Sequence, residues 1–314
     1  MLLKNARRLV ILCTAVLLTN PLTVCVVGRI NRLLGRPLCT MFVGYAASRE
    51  YSQAYAFSFM LPWIRYTPMI VGLFIQNGRL GIIAMTSSVE PDFLSPVHLD
   101  RLHEGCHRIA ERLGIEEVNF SGILPTVFRR AGLMTELHHQ SRCRVVGRVV
   151  TDAAIRTAEA HDIDAYLPIV LLGGRGSVGR AVSAELGRRG RTCFIVDLND
   201  RWPEHLRGER ILLVDVSKRG ALERRASQLW EGVVVLNEAY PEPDPGTVRA
   251  LRARGIAVHH VCGVAATSLP PFPGAYAGGV PCCAAREDPG LRAVVKTLSG
   301  VPRRSAANKT RRAA

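Results

Sequence analysis

The chain has 314 residues, of which 48% are hydrophobic, so it is long enough for two domains of ordinary size and too apolar for an intrinsically disordered chain. Its formal charge of +15 is most simply explained by a basic soluble surface, and next by attraction to an anionic membrane or an acidic partner. Because aromatic residues are not interleaved with the basic ones, nucleic-acid binding is less favoured. Nine cysteines without a Cys-x-x-Cys pair argue against a disulfide framework or a zinc site and indicate a reducing compartment.

The first predicted element is an uncharged, mostly apolar stretch at Leu9–Gly28. Basic residues flank it on both sides, at Lys4, Arg7, Arg8, Arg29, Arg32 and Arg36. Its length is sufficient to cross a bilayer, but Asn20 and Pro21 interrupt it. We therefore expect residues 1–36 to form a hydrophobic N-terminal segment that anchors the chain to a membrane or lies in the membrane interface. A buried helix and a cleaved signal peptide are the alternatives.

Residues 37–145 carry the pattern of a small α/β domain. Two apolar runs, Met69–Ile75 and Leu80–Met85, flank Asn77-Gly78, and this pattern predicts a β-hairpin with a two-residue turn. Apolar spacing then predicts a helix and a strand, at Pro96–Leu113 and Val118–Leu124.

The most specific pattern in the chain runs from Leu167 to Asp197. An apolar run breaks into glycines, a helical pattern follows, and a second apolar run ends in an acid 18 residues after the last glycine. This order of strand, glycine turn, helix, strand and acid is that of a dinucleotide-binding β-α-β unit. The candidate cofactor-binding residues are Gly173, Gly174, Gly176, Ser177, Val178, Gly179 and Asp197.

These residues have separate expected roles. Gly174 is expected to permit the tight turn, Gly176 to let the backbone approach a pyrophosphate, and Gly179 to let the helix pack against the strand. Asp197 is placed to accept the hydroxyls of an adenine ribose. Because an acid there repels a 2′-phosphate, the sequence favours NAD over NADP. The alternative is a glycine-rich loop with a structural role alone.

The remaining elements complete a dinucleotide-binding domain at 146–300, followed by a basic tail at 301–314. Strands are predicted at Ile211–Val216, Val233–Leu236 and Ile256–Cys262. Helices are predicted at Val146–His161, Ala221–Trp230, Thr247–Arg254 and Leu291–Leu298.

From about Met60 to Gly300 the chain resembles the acyl-carrier-protein reductases. That family forms fatty aldehydes and shares its architecture with shikimate dehydrogenase and glutamyl-tRNA reductase. The resemblance includes the hairpin, the run Leu99–Gly122 and the glycine turn. It also includes Ala239-Tyr240-Pro241 and Pro281–Arg286, which are similar to the family's Gly-Tyr-Pro turn and Ala-Cys-x-Ala-Glu segment. On that match the family's acylated cysteine falls on Cys283.

The chain also departs from the family. Arg286 stands where the family has a glutamate, and Glu238-Ala239 replaces a glycine pair. The cofactor half is about one strand–helix unit short. Ile211–Val216 aligns with either the third or the fourth strand of the family.

The resemblance implies a reductase in which a cysteine thiolate attacks an acyl thioester before hydride transfer. Cys283 is the candidate nucleophile, with Arg286 placed to favour its thiolate; a buried structural cysteine is the alternative. Lys218 is a second catalytic candidate, expected at the carboxyl end of a strand to polarise a carbonyl oxygen, with a solvated turn residue as its alternative. The pairs His138-His139 and His259-His260 lack further ligands at metal-binding spacing, so no metal site is predicted.

The sequence thus predicts an α/β protein: a Rossmann-type dinucleotide-binding domain, preceded by a smaller α/β substrate domain and a hydrophobic N-terminal segment. The predicted function is a nicotinamide-dependent oxidoreductase acting on an acyl thioester or a comparable carbonyl substrate. It is expected in the cytoplasm, attached to the cytoplasmic face of the membrane, where its cofactor is available. The alternatives are a dehydrogenase of shikimate type without a covalent step, and a non-catalytic nucleotide-binding or scaffold protein.

Overall fold

A computed structural model describes residues 2–197, 199–272 and 274–299, so the predicted basic tail at 301–314 lies outside the described residues. The chain divides into two compact units. The first comprises the residues up to Val149 together with Cys262–Val294, and the second comprises Val150–Val261 and the residues from Val295. Segment Cys262–Val294, which contains Cys283, therefore folds with the first unit rather than with the strands that precede it.

The described residues form helices and strands in both units. The helices are α1 (Leu2–Thr19), α2 (Pro21–Leu33), α3 (Arg49–Tyr55), α4 (Leu61–Ile64), α5 (Pro96–Leu113), α6 (Leu124–Arg130), α7 (Glu136–Ala160), α8 (Ser177–Arg188), α9 (Ala221–Arg225) and α10 (Pro245–Ala253). The strands are β1 (Leu38–Gly44), β2 (Met69–Gln76), β3 (Arg79–Met85), β4 (Glu117–Phe120), β5 (Ile169–Leu172), β6 (Cys193–Val196), β7 (Leu212–Asp215), β8 (Val234–Asn237), β9 (Ala257–Val264), β10 (Thr267–Leu269) and β11 (Ala293–Ser299).

The first unit is built on a five-stranded sheet of order β10-β2-β3-β1-β4. β2 and β3 form the predicted hairpin, and the turn residues Asn77 and Gly78 both have positive φ, at 49° and 75°. This is the backbone that a two-residue turn between twisted strands requires. β1, which the sequence did not predict, is parallel to both β3 and β4 and lies inside the sheet.

Helix α5 covers the unit's core and has the predicted bounds. Ser95 caps it by accepting a hydrogen bond from the backbone of His98, and Gly114 ends it in the left-handed conformation, with φ of 70°. Its apolar residues recur every three or four positions and are all buried, namely Leu99, Leu102, Cys106, Ile109 and Leu113.

The apolar N-terminal stretch forms two helices instead of one. α2 begins at Pro21, and the side chain of Asn20 caps it by accepting a hydrogen bond from Leu22 N at 2.8 Å. Within the described residues no single helix is long and apolar enough to cross a membrane. Arg8–Thr19 and Pro21–Leu33, which are bent by 57°, reach that length and hydropathy only as a pair. The break between the two helices falls at Asn20 and Pro21, the residues that interrupt the apolar stretch in the sequence.

The second unit contains a six-stranded sheet of order β11-β9-β8-β7-β5-β6. β5 is parallel to β6 on one side and to β7 on the other, and β8 and β9 continue in parallel beyond β7. β7 therefore occupies the place of the fourth strand of a dinucleotide-binding fold, and the sheet ends at β6 among the described residues. The order of the strands reverses between β5 and β7, which is where open α/β sheets bind their ligands.

Three predicted helices differ from the structure. Leu291–Leu298 is wrong as a helix, because these residues form β11, where Val294, Val295 and Thr297 supply the β-branched side chains that favour a strand. The helix predicted at Val146–His161 is the second part of the longer α7. The helical region Ala221–Trp230 contains only the short α9 and a 3₁₀ turn.

Candidate nucleotide site and cysteine segment

The glycine turn between β5 and α8 brings several chain segments close together. Gly173 has a φ of 84°, and a Cβ on it would lie 2.7 Å from the Cα of Ser217. The left-handed residue of the turn is thus Gly173 rather than Gly174. A Cβ on Gly174 would lie 2.7 Å from the side chain of Ile195, and one on Gly179 would lie 2.3 Å from the carbonyl oxygen of Gly173. Glycine is therefore required here for packing as well as for conformation.

Gly176 differs from the other glycines of the turn. Among the described residues, a Cβ at Gly176 would have one atom within 4 Å, the carbonyl oxygen of Gly173 at 3.3 Å. α8 begins directly after it, so the amides of Ser177, Val178 and Gly179 form the first turn and have no acceptor within the helix. The open space over Gly176 beside these amides is suited to an anionic group such as a pyrophosphate.

Asp197 lies directly after β6 at the same edge of the sheet. Its Oδ2 accepts a hydrogen bond from the backbone N–H of Arg175 at 3.3 Å, which ties it to the glycine turn. The guanidinium of Arg175 extends to Asp200, with an Nη1–Oδ1 distance of 2.9 Å. The carboxylate expected to accept ribose hydroxyls therefore stands next to the turn that would hold the phosphates.

Two further acids lie at the carboxyl ends of β7 and β8, and sequence reasoning did not select either as a site residue. Burial raises the pKa of Asp215 to about 6, although Ser217 donates hydrogen bonds to its carboxylate. Burial, followed by the charge of Asp215, raises the pKa of Glu238 to about 8. The backbone N–H of Glu238 donates to the carbonyl of Asp215 at 2.8 Å. At neutral pH Glu238 is therefore largely uncharged, which reduces the negative charge at an edge where a nucleotide would bind.

Replacing Glu238 by glutamine is expected to stabilise the protein in a pH-dependent way. The unfolded chain releases this proton at its ordinary pKa and the folded chain only near pH 8, so wild-type stability declines between these values. The variant lacks that decline. Glu238 is half-buried, so solvent screening reduces the effect of its charge on stability. We therefore expect Glu238→Gln to raise the free energy of unfolding by roughly 1–3 kcal/mol at pH 8 and by little at pH 5. Urea unfolding at both pH values measures it, with Glu231→Gln at the opposite end of β8 as the control. An equal gain at pH 5 and pH 8 would contradict the assignment.

The cysteine segment belongs to the first unit, where it lies against β1 and β4. Pro281 precedes a 3₁₀ turn formed by Cys282–Ala284. The side chain of Gln76 holds the backbone of Arg286 through two hydrogen bonds, of 3.0 and 3.2 Å. Arg148 adds an ion pair to Glu287 at 3.3 Å. The segment is thus fixed on the first unit by polar contacts at several points.

Cys282 and Cys283 differ in accessibility, since Cys282 is buried and Cys283 is partly exposed. Arg142 of α7 donates to the carbonyl oxygens of Cys283, at 3.4 Å, and Ala285. Its largely buried guanidinium also interacts electrostatically with the Cys283 thiol. A fixed positive charge near a thiol favours the thiolate.

The expected role of Arg286 beside the Cys283 thiolate stays a prediction. Its guanidinium pairs with Glu117, with an Nε–Oε2 distance of 3.1 Å, and its Nη1 lies 2.8 Å from the Sγ of Cys39. Arg142 pairs with the other oxygen of Glu117 at 2.6 Å. The cation in contact with the Cys283 backbone is therefore Arg142, which the sequence did not single out.

Lys218 lies in the exposed turn between β7 and α9, and its catalytic role stays a prediction. The histidine pair His259-His260 makes contacts with other side chains of the second unit. His259 Nε2 lies 2.7 Å from His161 Nε2, and His260 Nδ1 lies 2.9 Å from the side-chain amide of Asn237. A search of the described part of the chain finds no group of three or more histidine, cysteine or acidic residues suited to a metal ion.

No model of a known protein family matches this sequence, and no curated protein matches it. Similar solved structures include glutamate dehydrogenase from Peptoniphilus asaccharolyticus, at 15% identity and a TM-score of 0.40, covering 71% of this chain and 65% of that chain. L-tryptophan dehydrogenase from Nostoc punctiforme is similar at 12% identity and a TM-score of 0.35, covering 70% of this chain and 68% of that chain.

A third similar structure is shikimate 5-dehydrogenase from Thermus thermophilus in complex with NADP(H) and shikimate. It has 14% identity and a TM-score of 0.37 and covers 70% of this chain and 86% of that chain. The match to the glutamate dehydrogenase covers 65% of that enzyme's length. At these scores the likeness is distant.

Proposed function

We propose that the protein is a nicotinamide-dependent oxidoreductase. The observation that carries this proposal is the glycine turn at the point where the strand order reverses, with open space over Gly176 beside the first amides of α8. The residues that would hold the cofactor are Gly173, Gly174, Gly176, Ser177, Val178, Gly179 and Asp197. A bound nicotinamide cofactor supplies a hydride to a carbonyl substrate.

We further propose NAD rather than NADP as the cofactor, on the position of Asp197. Asp197→Ala removes both an acceptor for the ribose hydroxyls and a charge that repels a 2′-phosphate. We expect wild type to bind NADH at least about tenfold more tightly than NADPH, and Asp197→Ala to bind the two within about threefold. Fluorescence titration with both cofactors measures this, with the exposed Glu204→Ala as the control. A wild-type preference for NADPH would contradict the proposal.

The proposed substrate is an acyl thioester, and Cys283 is the proposed nucleophile. Its sulfur bonds to the carbonyl carbon, the carbon–sulfur bond of the thioester breaks, and the departing thiolate takes up a proton to leave as a thiol. Arg142 supports this step because its charge favours the Cys283 thiolate, and its hydrogen bonds fix the backbone of the turn. One hydride, which NADH would supply, then forms a bond to the acyl carbon, and the bond from that carbon to the Cys283 sulfur breaks. The product leaves as an aldehyde and Cys283 is restored as a thiolate.

The partial exposure of Cys283 supports the choice between the two neighbouring cysteines, because Cys282 is buried. Tyr45 adds a hydroxyl within electrostatic reach of the Cys283 thiol. Its hydroxyl donates to Glu90 at 2.9 Å, and burial and the charge of Glu90 raise the pKa of Tyr45 above its ordinary value. Tyr45 therefore stays protonated at neutral pH, and it adds no second anion beside the thiolate.

A further inference from the structure

The two N-terminal helices of the first unit each leave several large apolar side chains in solvent. In α1 these side chains follow one helical face, with exposed fractions of 54% for Leu9, 64% for Val10 and 65% for Leu17. In α2 they follow another, with 77% for Leu22 and 85% for Leu33. We call this surface the N-terminal apolar face; its members are Leu9, Val10, Val16, Leu17, Leu22, Val26, Ile30 and Leu33. Folded proteins rarely leave so many large apolar residues together in water unless the surface binds something.

The opposite sides of both helices are attached to the first unit. Ile11, Leu12 and Ala15 of α1 pack against a buried cluster formed by Ala56, Met60 and Met69. Val24 of α2 belongs to the core under the sheet. Both helices therefore bury one side against the first unit and leave the N-terminal apolar face on its outer surface.

Polar contacts hold the two helices in this position. Thr19 Oγ1 accepts a hydrogen bond from Ile70 N at 3.0 Å. The amide of the buried Asn31 donates to the carbonyl oxygens of Leu38, at 2.9 Å, and Leu113, at 3.0 Å. To cross a bilayer, the helices would have to break these bonds and place the freed polar groups in hydrocarbon.

Charge indicates what covers this face. Seven basic residues and no acidic residue precede Glu50, namely Lys4, Arg7, Arg8, Arg29, Arg32, Arg36 and Arg49. Of these, Arg36 and Arg49 form ion pairs with Glu116 and Asp92. Arg29 and Arg32 are exposed on α2 beside the apolar face. Two copies of this face would bring like charges together, whereas anionic lipid headgroups would complement them.

The segment that packs beside α1 also exposes two aromatic residues. Phe59 is 61% exposed and Trp63 is 74% exposed. Phe59 stacks on Phe57, with ring centroids 5.7 Å apart, and Phe57 packs on the same buried cluster as α1. Exposed Trp side chains are typical of the boundary between headgroups and hydrocarbon.

We propose that the N-terminal apolar face docks the protein onto an anionic lipid bilayer, with α1 and α2 lying in the membrane interface rather than crossing it. The apolar side chains enter the boundary between headgroups and acyl chains, and the exposed Arg29 and Arg32 contact the headgroup phosphates. This proposal stands independently of the proposed enzymatic activity.

Flotation of the full-length protein with lipid vesicles tests the proposal. We expect the protein to float with vesicles of phosphatidylcholine and phosphatidylglycerol, and several-fold less with phosphatidylcholine alone. Raising salt from about 0.1 to about 0.5 M should weaken the binding, because it screens the arginines. Alkaline carbonate should extract the protein, as expected for a peripheral attachment.

The double variant Leu22→Glu/Leu33→Glu should lower the bound-to-free ratio at least about tenfold. Both residues are exposed, and circular dichroism and thermal unfolding verify the fold. Leu94→Glu/Leu137→Glu is the matched control, because these leucines are 88% and 71% exposed elsewhere on the same unit. Three results would each overturn the proposal: no flotation of wild type, retention of membrane protein after carbonate, or a dimer in solution that only Leu22→Glu/Leu33→Glu dissociates.

Discussion

Gly176→Val is expected to abolish NADH binding, with a dissociation constant at least about 100-fold above that of wild type. The valine would project into the open space over the glycine turn, where the backbone otherwise approaches the pyrophosphate. The substitution requires no change in backbone conformation, because Gly176 has a φ of −66°, which any residue adopts. Titration of NADH fluorescence against both proteins measures the effect.

Gly187→Val is the matched control for this substitution. Gly187 lies in the same helix, and among the described residues a Cβ there would meet nothing within 4 Å. Gly187 lies near the opposite end of α8 from the glycine turn, so NADH affinity should stay within about twofold of wild type. Equal binding by wild type and Gly176→Val would show that the glycine turn does not hold the cofactor.

Cys283→Ser is expected to eliminate covalent acylation of the protein, whereas Cys282→Ser should retain it. The two residues are neighbours in one turn, but only Cys283 is partly exposed. Incubation with a long-chain acyl thioester, digestion and mass spectrometry locate the modified residue. Acylation that survives Cys283→Ser and disappears with Cys282→Ser would transfer the role to Cys282.

The same structure predicts which arginine activates the thiol. Arg142→Met should slow alkylation of Cys283 by iodoacetamide roughly tenfold at neutral pH, because it removes the charge beside the thiol. Arg286→Met, which breaks the companion ion pair to Glu117, should leave that rate within about twofold. Thermal unfolding of both variants separates a loss of charge from a loss of fold. A slower reaction in Arg286→Met alone would restore the role that the sequence assigned to Arg286.

Short sequence patterns correctly predicted the elements whose ends are set by residues adjacent in the chain. The hairpin at Asn77-Gly78 and the bounds of α5 follow from residues that are neighbours in sequence, namely a turn pair, a serine cap and a terminal glycine. The glycine turn also fell between a strand and a helix, as its pattern indicated. In that turn the glycine with positive φ is Gly173, one position before Gly174, which the sequence analysis expected to permit the tight turn.

The errors arise where distant segments meet. β1 is a short apolar run whose parallel partners lie about 40 and 80 residues away, so no neighbouring signal indicates it. The place of β7 beside β5 likewise depends on sheet assembly, and the sequence left two alignments open. Glu117, Arg142 and Arg286 come from three separate segments and meet only in the folded unit. For the same reason the sequence did not single out Arg142.

Turnover tests the central claim most directly. The protein, NADH and a long-chain acyl thioester are incubated together, and NADH oxidation, thiol release and aldehyde formation are measured in the same samples. The account predicts that the three appear in equal amounts over many turnovers with wild type, and that Cys283→Ser produces none of them. Gly176→Val should release at most one equivalent of thiol per protein, from acylation of Cys283, with no NADH oxidation and no aldehyde. If wild type binds NADH but leaves it unoxidised with every acyl thioester tested, the protein is not the thioester reductase proposed here.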